Sequence, residues 1–283
     1  MVTSTTFTID DLICVCISRQ IKDWQILAQG IATPPVAAGY LLARLTHAPH
    51  VTFASAIGNT LCQDHAPLSL TCAEDLWVGK ALMFVSFAEA ACELYPRYLP
   101  VEFFRPAQVD PFGNTNNVAI GTPGNLRLRL PGCGGIADVT THHPRAYLYV
   151  PRHSRAVFVQ ELDLVSGVGV ARQEACLGDH PGPQLLISDL GVFDYVTGRM
   201  RLRSYHPGTS IDVIRRKTGF PLDVATDVYE TPPPSSEEIR LLQEEIDPLG
   251  IRELDRMSGS RRRRKLREII QAEASAYQAR SAG

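Results

Sequence analysis

An amphipathic stripe near the start of the chain is the first element that the pattern predicts. It consists of five apolar positions, Ile9, Leu12, Ile13, Cys16 and Ile17. Residues three and four positions apart lie on one face of a helix, so the stripe predicts a helix with one buried side. Thr8 and Asp11 have the spacing of a capping box, which places the first turn of that helix next to Thr8.

Short apolar runs then alternate with a second helix. Residues 26–28 and 51–55 are typical of strands, whereas 36–45 is apolar on nearly all sides and predicts a buried helix. Thr33 is the expected N-cap of that helix, and Pro34 suits its first position. A helix–strand–helix–strand order predicts parallel strands joined by a right-handed crossover, which is typical of an α/β fold.

The middle of the chain, 82–204, is richer in strands. Five runs are typical of strands: 82–85, 146–150, 156–159, 184–187 and 200–205. Glycine-rich loops at 111–114 and 131–135 interrupt them. Together these elements predict an open, layered α/β fold with a mostly parallel sheet and glycine-rich loops.

A proline-rich linker, 231–234, leads into the last part of the chain. Ser235 and Glu238 form a second capping box, and the apolar positions after them predict a short amphipathic helix that ends at 247–250. An arginine-rich tail follows. We therefore predict one domain of residues 1–255 and a basic extension of residues 256–283.

Charge is distributed unevenly between these two parts. The whole chain has a formal net charge of −2, whereas residues 256–283 carry eight Lys or Arg and two Glu, a net of +6. The remainder is therefore acidic. A DNA-binding domain carries positive charge on its fold, so no nucleic-acid partner is predicted. A solvated, mobile extension is the expected state of the tail. Contact with an acidic partner surface and weak binding to nucleic acid or a membrane are the alternatives.

The termini and the cysteines indicate the compartment. No run approaches the ~18 apolar residues that a membrane span requires, and the first six residues show no signal-peptide pattern. Seven cysteines cannot all pair, and they form no C-x-x-C motif. We therefore expect reduced thiols in a cytoplasmic protein of 283 residues, which is long enough for a sizeable core.

Two glycine-containing loops are candidates for binding anions. Gly30 and Thr33 lie between a strand and a helix start, where backbone N–H groups favour phosphate, although the glycines of a dinucleotide fingerprint are missing. Gly134 and Gly135 belong to a run of glycines that lets the backbone approach a ligand and direct N–H groups at an oxyanion. An ordinary turn is the alternative for each loop.

Other polar residues give weaker signals. Three amide side chains in the segment 107–117 are candidates to bond a polar substrate: Gln108, Asn114 and Asn116. The alternative is that they form turns. His142 and His143 lack the spacing of metal ligands, so no metal is predicted. Ser55 lacks the flanking glycines of a nucleophile elbow, which argues against a serine hydrolase.

Six stretches carry a family signature. They are AQVDPFGNTNNVAIG (107–121), GCGGIADV (132–139), DLVSGVGV (163–170), QLLISDLGVFDY (184–195), YHPGTSIDVIRRKTGFPLDV (205–224) and EEIDPLGIREL (244–254). AQVDPFGN and IDPLGI are specific. Over about residues 8–254 the chain resembles the β-type subunit of the family I coenzyme A transferases, nearest to the glutaconate CoA-transferase branch.

The resemblance implies an open α/β fold, a homologous α-type partner in a heterodimer or α2β2 assembly, and an active site between the two subunits. It also implies a coenzyme A thioester as substrate, with no bound cofactor. In the transferases, a Glu on the loop after the second strand attacks the thioester and becomes an enzyme–CoA thioester. Aligning 51–59 with that loop puts Ala54 in place of this Glu, and 45–63 contains no Asp, Glu, Lys or Arg.

Family members without this Glu do other chemistry. One group opens the last rings of a steroid by hydrolysing a carbon–carbon bond, with its catalytic carboxylate on the α subunit. Another decarboxylates a glutaconyl-type CoA ester with a Cys in place of the Glu. DLVSGVGV, LGVFDY and YHPGTS are more similar to the ring-opening hydrolase, which implies a role in steroid breakdown. CoA transfer, decarboxylation and a non-catalytic scaffold role are the alternatives.

The resemblance and the loops together give a set of expected site residues. No catalytic residue is assigned to this chain. The residues expected to bind substrate or oxyanion are Gly134, Gly135, Gln108, Asn114, Asn116 and Ser55, and those expected to bind CoA are Gly30 and Thr33.

Overall fold

The computed structural model describes residues 6–30, 33–122, 124–170 and 182–281. The chain divides into two compact units: unit 1 comprises Met1–Ala90 and Pro234–Gly283, and unit 2 comprises Ala91–Pro233. Among the helices of the described ranges, none is both long and apolar enough to span a lipid bilayer.

The elements are named here in chain order. The strands are β1 (Ile26–Gln29), β2 (Thr52–Ser55), β3 (Thr60–Cys62), β4 (Ala81–Phe84), β5 (Val101–Phe104), β6 (Gln108–Val109), β7 (Thr115–Asn116), β8 (Ala119–Thr122), β9 (Asn125–Arg129), β10 (Ala146–Val150), β11 (Leu185–Ser188), β12 (Gly191–Asp194), β13 (Arg201–Tyr205) and β14 (Asp223–Glu230). The α-helices are α1 (Ile9–Ser18), α2 (Pro34–Leu45), α3 (Glu74–Trp77), α4 (Phe87–Glu89), α5 (Tyr95–Tyr98), α6 (Ile136–His142), α7 (Ile211–Lys217), α8 (Ser236–Arg240) and α9 (Gly259–Ser281). Ala90–Leu94 and Leu241–Ile246 are π-helical, and Ile251–Asp255 is a 3₁₀-helix.

Unit 1 is built on the parallel pair β1 and β2, in which Ala28 lies opposite Ala54. β3 and β4 continue from β2 as antiparallel strands. Helices α1 and α2 pack closely at Gly39, where a Cβ atom would lie 2.7 Å from Ile17 Cγ2 and 2.8 Å from the Cys14 carbonyl oxygen. A side chain at position 39 would therefore push the two helices apart.

A buried ion network fastens the C-terminal part of unit 1 to its first helix. Arg252 Nη2 donates to Asp11 Oδ1 on α1 at 2.6 Å, and Arg252 Nη1 donates to Asp247 Oδ2 at 2.8 Å. The three residues are buried. Arg256 forms a similar pair with Asp10 at 2.6 Å. The chain thus returns after more than 200 residues to complete unit 1.

Helix α9 is docked onto unit 1. Both carboxylate oxygens of Glu273 accept bonds from the segment 69–71, including the N–H groups of Leu70 at 2.7 Å and Thr71 at 2.9 Å. Ile269 is buried in an apolar cluster with Ile251 and Leu254. The expectation of a solvated, mobile extension is therefore corrected: apolar contacts and one acidic anchor fix the helix, while most of its basic side chains are exposed. The division of the chain into a domain of residues 1–255 and an extension of residues 256–283 stays a prediction. The two compact units divide elsewhere, after Ala90 and after Pro233.

Unit 2 contains the larger share of the strands. Among its described residues, six strands lie in the order β14-β13-β12-β11-β10-β5, and the pairs β6-β7 and β8-β9 form two small separate sheets. β5, β10 and β11 are parallel, as are β13 and β14, whereas β12 is antiparallel to both of its neighbours. Apolar side chains around Leu148, Phe158 and Phe193 form its core.

The α/β fold predicted from the sequence is confirmed, and so are most of its elements. Both predicted N-terminal helices are present as α1 and α2, and the strands predicted at 26–28 and 51–55 are β1 and β2. Four of the five strand runs predicted in the middle of the chain are strands as well. The strand predicted at 156–159 is wrong: this segment contributes only an isolated bridge, between Phe158 and Val109. Of its apolar residues only Phe158 is buried, in the core of unit 2, whereas Ala156 is exposed and both valines are partly exposed.

We predict that Arg252→Met strongly destabilises unit 1. The substitution leaves the carboxylates of Asp11 and Asp247 buried without their cation, a change that typically costs about 3–5 kcal/mol. Urea unfolding measures the loss. Arg240→Met is the matched control, because the Arg240 pairs with Glu237 and Glu245 are exposed and typically contribute less than about 1 kcal/mol. Equal effects of the two substitutions would contradict the role given to Arg252.

Candidate functional site

The carboxyl end of β2 carries two small side chains in unit 1. Ala54 and Ser55 are 7% and 5% exposed. The Ser55 hydroxyl accepts the N–H of Ile57 at 3.1 Å, so it is held by the turn that follows β2. A methyl group is not a nucleophile, and a hydroxyl is a weak one when no base is bonded to it, as holds for Ser55 among the described residues. The end of β2 therefore carries no activated nucleophile in the described part of the chain.

Gln29 lies beside this strand end and was not expected from the sequence. It is the register partner of Ser55 on β1 and is buried. Its Nε2 donates to the Thr33 hydroxyl at 2.7 Å and to the Gly30 carbonyl at 3.0 Å. Its Oε1 has no hydrogen-bond partner among the described residues. A buried amide oxygen without a partner is costly, so Gln29 is a candidate to accept a bond from a ligand.

The start of α2 differs from the expected anion site. Thr33 is the N-cap residue, but its hydroxyl makes no capping bond and accepts from Gln29 instead. The first two helical positions are prolines without N–H groups, and the N–H groups of Val36 and Ala37 donate to the Thr33 carbonyl. Ile31 and Ala32, between the two expected CoA ligands, lie outside the described residues. CoA binding by Gly30 and Thr33 therefore stays a prediction.

In unit 2, an Asp–Asn pair shapes the loop between β6 and β7. Asp110 accepts the N–H groups of Phe112 and Asn114, each at 2.9 Å, and the Asn114 side-chain amide at 2.7 Å. The Asn114 Oδ1 in turn accepts the Gly169 N–H at 2.9 Å. The loop brings 163–170 so close that a Cβ at Gly169 would lie 2.2 Å from the Phe112 carbonyl oxygen. Asn114 thus joins two segments that are distant in sequence.

The amides of Gln108 and Asn116 form a second chain of bonds. Asn116 Nδ2 donates to Gln108 Oε1 and to the Ala119 carbonyl, both at 2.7 Å. Gln108 Nε2 donates to Asp163 at 3.2 Å. Asn116 is fully buried, and the polar atoms of its side chain are engaged within the protein. These contacts support the alternative stated from the sequence, that the amides build turns, and substrate contact by Gln108, Asn114 or Asn116 stays a prediction.

The glycine run precedes α6 in the same unit. The Asn117 carbonyl accepts the Gly132 N–H at 2.8 Å, which joins the run to the amide segment. Gly134 and Gly135 are exposed, and a Cβ at either would meet no atom within 4 Å. Within the described residues, the N–H groups of Gly134 and Gly135 have no hydrogen-bond partner. The loop therefore presents open backbone, as an oxyanion site requires.

Glu102 on β5 is a half-buried acid, with a buried Oε2 atom, that sequence reasoning missed. Its Oε2 has no partner among the described residues. Burial raises the pKa of Glu102 to about 8. Burial and the nearby Glu102 carboxyl also raise the pKa of Tyr95. At neutral pH this carboxyl is therefore mostly protonated and is a poor nucleophile. The sequence offered no signal, because a single Glu in a short strand says nothing of its burial.

Three histidines of unit 2 are buried and neutral. Burial lowers the pKa of His143 to about 4, that of His153 to about 3 and that of His206 to about 4. His153 lies between the hydroxyls of Ser188 and Thr218, at 3.1 Å and 3.0 Å. These contacts give His153 a structural role. In the described ranges, no group of three His, Cys, Asp or Glu is arranged to hold a metal.

Comparison with known proteins identifies the kind of protein that carries these features. A family model described as Coenzyme A transferase matches residues 12–217. One subunit of the glutaconate CoA-transferase of Acidaminococcus fermentans is 30% identical over 262 residues, which cover 86% of this chain and 94% of that protein.

Two further relatives have other activities in their names. The cholesterol ring-cleaving hydrolase IpdB subunit of Rhodococcus jostii is 32% identical over 153 residues, 52% of this chain and 59% of that protein. The crystal structure of the decarboxylase AibA/AibB matches with a TM-score of 0.75 and 29% identity, covering 88% of this chain and 98% of that chain. Proteins similar to this chain are thus named as a transferase, a hydrolase and a decarboxylase.

We predict that Glu102→Gln removes one component of the pH dependence of stability. In the wild type this acid stays protonated up to a pKa of about 8 in the folded chain but ionises near 4.5 when unfolded. Stability is therefore lost as the pH rises between these values, by up to about 1.4 kcal/mol per pH unit. Urea unfolding at several pH values between 5 and 8 measures the slope. Glu161→Gln, at an exposed position, should keep the wild-type slope, and an unchanged slope in Glu102→Gln would show that Glu102 is not held protonated.

Proposed function

Because the chain belongs to the coenzyme A transferase family, we propose that it is the β-type subunit of a heteromeric hydrolase that opens a ring of a cyclic ketone CoA ester. A homologous α-type subunit supplies the catalytic carboxylate, in a heterodimer or an α2β2 assembly. The relatives are named as subunits, and one of them is named as ring-cleaving, which supports both parts of the proposal.

The observation that carries the proposal is the chemistry at the end of β2. Ala54 stands where the transferases are expected to carry the Glu that attacks the thioester, and 45–63 contains no acidic residue. The neighbouring Ser55 is held by a turn. A transfer that passes through an enzyme–CoA thioester requires a nucleophile at this point. Without one, the carboxylate has to come from the partner.

The proposed reaction is a hydrolytic carbon–carbon cleavage. The partner's carboxylate takes a proton from water, and the water oxygen forms a bond to the ring ketone carbon. The bond from that carbon to its neighbour then breaks, and its electron pair forms an enolate, which the partner's acid protonates. The product is a single ring-opened molecule that carries the new carboxylate and the intact CoA thioester. This chain binds and orients the substrate and stabilises the negative charge.

The N–H groups of Gly134 and Gly135 are proposed to face that negative charge. They lie in an exposed loop where an added Cβ would meet no atom within 4 Å beyond the chain neighbours. A single oxyanion donor typically contributes about 3 kcal/mol to transition-state stabilisation. Gln108 is proposed to bond the substrate through a rearrangement of its weak 3.2 Å bond to Asp163. Asn114 and Asn116 are proposed to hold the shape of the amide segment through their bonds to Asp110 and to Gln108.

Location and substrate class are also proposals. A CoA ester of a partly degraded steroid fits the ring-cleaving relative, and the cytoplasm fits the six free cysteines among the described residues. Decarboxylation is the second candidate, because the decarboxylase AibA/AibB is similar over most of this chain. CoA transfer is the third, since the match to the glutaconate transferase relative covers 86% of the chain.

We expect the purified heteromer to open a ring-intact ketone CoA ester without moving its CoA. Mass spectrometry of the products distinguishes the three reactions: hydrolysis adds the mass of water, decarboxylation removes that of CO2, and transfer creates acetyl-CoA or succinyl-CoA from added acetate or succinate. Release of CO2 or appearance of the acceptor's CoA ester, with the ring intact, would contradict the proposal.

We expect Gly134→Ala to lower kcat of the heteromer by about a hundredfold, because a methyl group displaces the substrate from the oxyanion donors. The substitution should not disturb folding, since a Cβ at this position meets no atom within 4 Å. Ala137→Ser, at an exposed position of α6, is the matched control with retained kcat. Full activity of Gly134→Ala in an intact complex would favour the scaffold role.

A further inference from the structure

Strand β4 and the turn after it form an unusual apolar surface in unit 1. Four large apolar side chains lie within six positions and are half to three-quarters exposed: Leu82 at 65%, Met83 at 50%, Phe84 at 62% and Phe87 at 74%. We name these four residues the β4 patch. The other large exposed apolar side chains of the described residues occur singly or in pairs. The patch is therefore the densest apolar surface in the described part of the chain.

The geometry of β4 shows that the strand is uncovered on both faces. Successive side chains of a regular strand point to opposite faces, yet Met83 and Phe84, which pair with Leu61 and Thr60, are both exposed, and so is Leu82 at a bulge in β4. β4 pairs with β3 on one side and is the last strand of unit 1 in the sheet order. Its free edge and both faces are thus open together. An exposed apolar edge strand is an aggregation hazard unless something covers it.

The chemistry of the patch defines what can cover it. Residues 81–88 contain no charged side chain. The flanking charges are already engaged: Lys80 donates to Asp64 at 2.9 Å, and the Glu89 carboxylate accepts the Ser86 N–H at 2.7 Å in a capping box. A charged partner surface would therefore find no counter-ion here. The patch fits an apolar surface with an extended segment that can pair with β4.

We propose that the β4 patch is the docking surface of the α-type subunit. The inference rests on the proposed function, which makes this chain one half of a heteromer. Permanent interfaces are large and more apolar than the remaining surface, and the β4 patch is the most apolar surface in the described chain. The partner adds a strand to the free edge of β4, and its apolar side chains bury Met83 and Phe84, which pair with successive residues of β3 and therefore point to opposite faces.

The affinity between the subunits tests this assignment without any substrate. Phe84→Glu and Leu82→Glu should each weaken the affinity for the purified α-type partner at least about 30-fold, as expected for anchor residues at the centre of an interface. Val196→Glu is the matched control, because Val196 is 74% exposed on a turn of unit 2, and its affinity should equal that of the wild type. Circular dichroism of each variant alone checks folding.

A second measurement on the wild type makes the test independent of the variants. Hydrogen exchange at the amides of 81–84 should slow when the partner binds, because a paired edge strand no longer opens to water. Wild-type affinity in both glutamate variants, or no protection at 81–84, would overturn the assignment. So would a change that affects only self-association of this chain, which would indicate a second copy as the occupant.

The outcomes separate this inference from the proposed function. A heteromer that assembles through β4 but moves CoA to an acceptor refutes the ring-opening reaction and leaves the docking surface in place. A ring-opening heteromer whose affinity is unaffected by the two glutamate substitutions refutes the docking surface and leaves the reaction in place.

Discussion

One buried guanidinium closes unit 1. Arg252 joins Asp11 of α1 to Asp247, with its two bonds at 2.6 Å and 2.8 Å, and so fixes the first helix to a segment that follows it by more than 200 residues. Helix α1 packs against α2 at Gly39, and α2 connects β1 to β2. The position of the β2 end, where the chemistry of the site is decided, therefore depends on this charge cluster.

The chemistry follows from what that strand end carries. Ala54 and Ser55 place no carboxylate at the end of β2 for a covalent relay, and the half-buried Glu102 of unit 2, with a pKa of about 8, is mostly protonated at neutral pH. The described chain does contain an exposed glycine run at 132–135, and a loop of hydrogen-bonded amide side chains is joined to it through the Gly132 N–H. These features fit the proposal that this chain binds the thioester and stabilises negative charge while the partner subunit supplies the reactive acid.

The sequence predicts part of this fold and less of the site. Apolar runs bounded by turn residues predicted β1, α2 and β2, because such runs have few alternatives. The strand β14 was missed, since its exposed and polar residues form no run. The docking of α9 was missed because its anchor, Glu273, bonds residues about 200 positions earlier. The local sequence carries no information about contacts between residues so far apart along the chain.

The amide loop shows the same limit at the site. From composition alone, the amides of 107–117 are equally suited to a substrate and to a turn. Which of these holds depends on Asp163 and Gly169, whose bonds to Gln108 and Asn114 span 55 positions. The glycine run was easier to predict, because glycines in sequence already indicate open backbone.

The most direct test of the central claim is the mass of this chain after the heteromer has been incubated with its acyl-CoA and then treated with borohydride. Borohydride reduces an enzyme–CoA thioester and leaves a permanent mark on the residue that formed it. If the carboxylate belongs to the partner, this chain keeps its mass and the heteromer keeps its activity. A reduced residue in this chain, with loss of turnover, would contradict the claim.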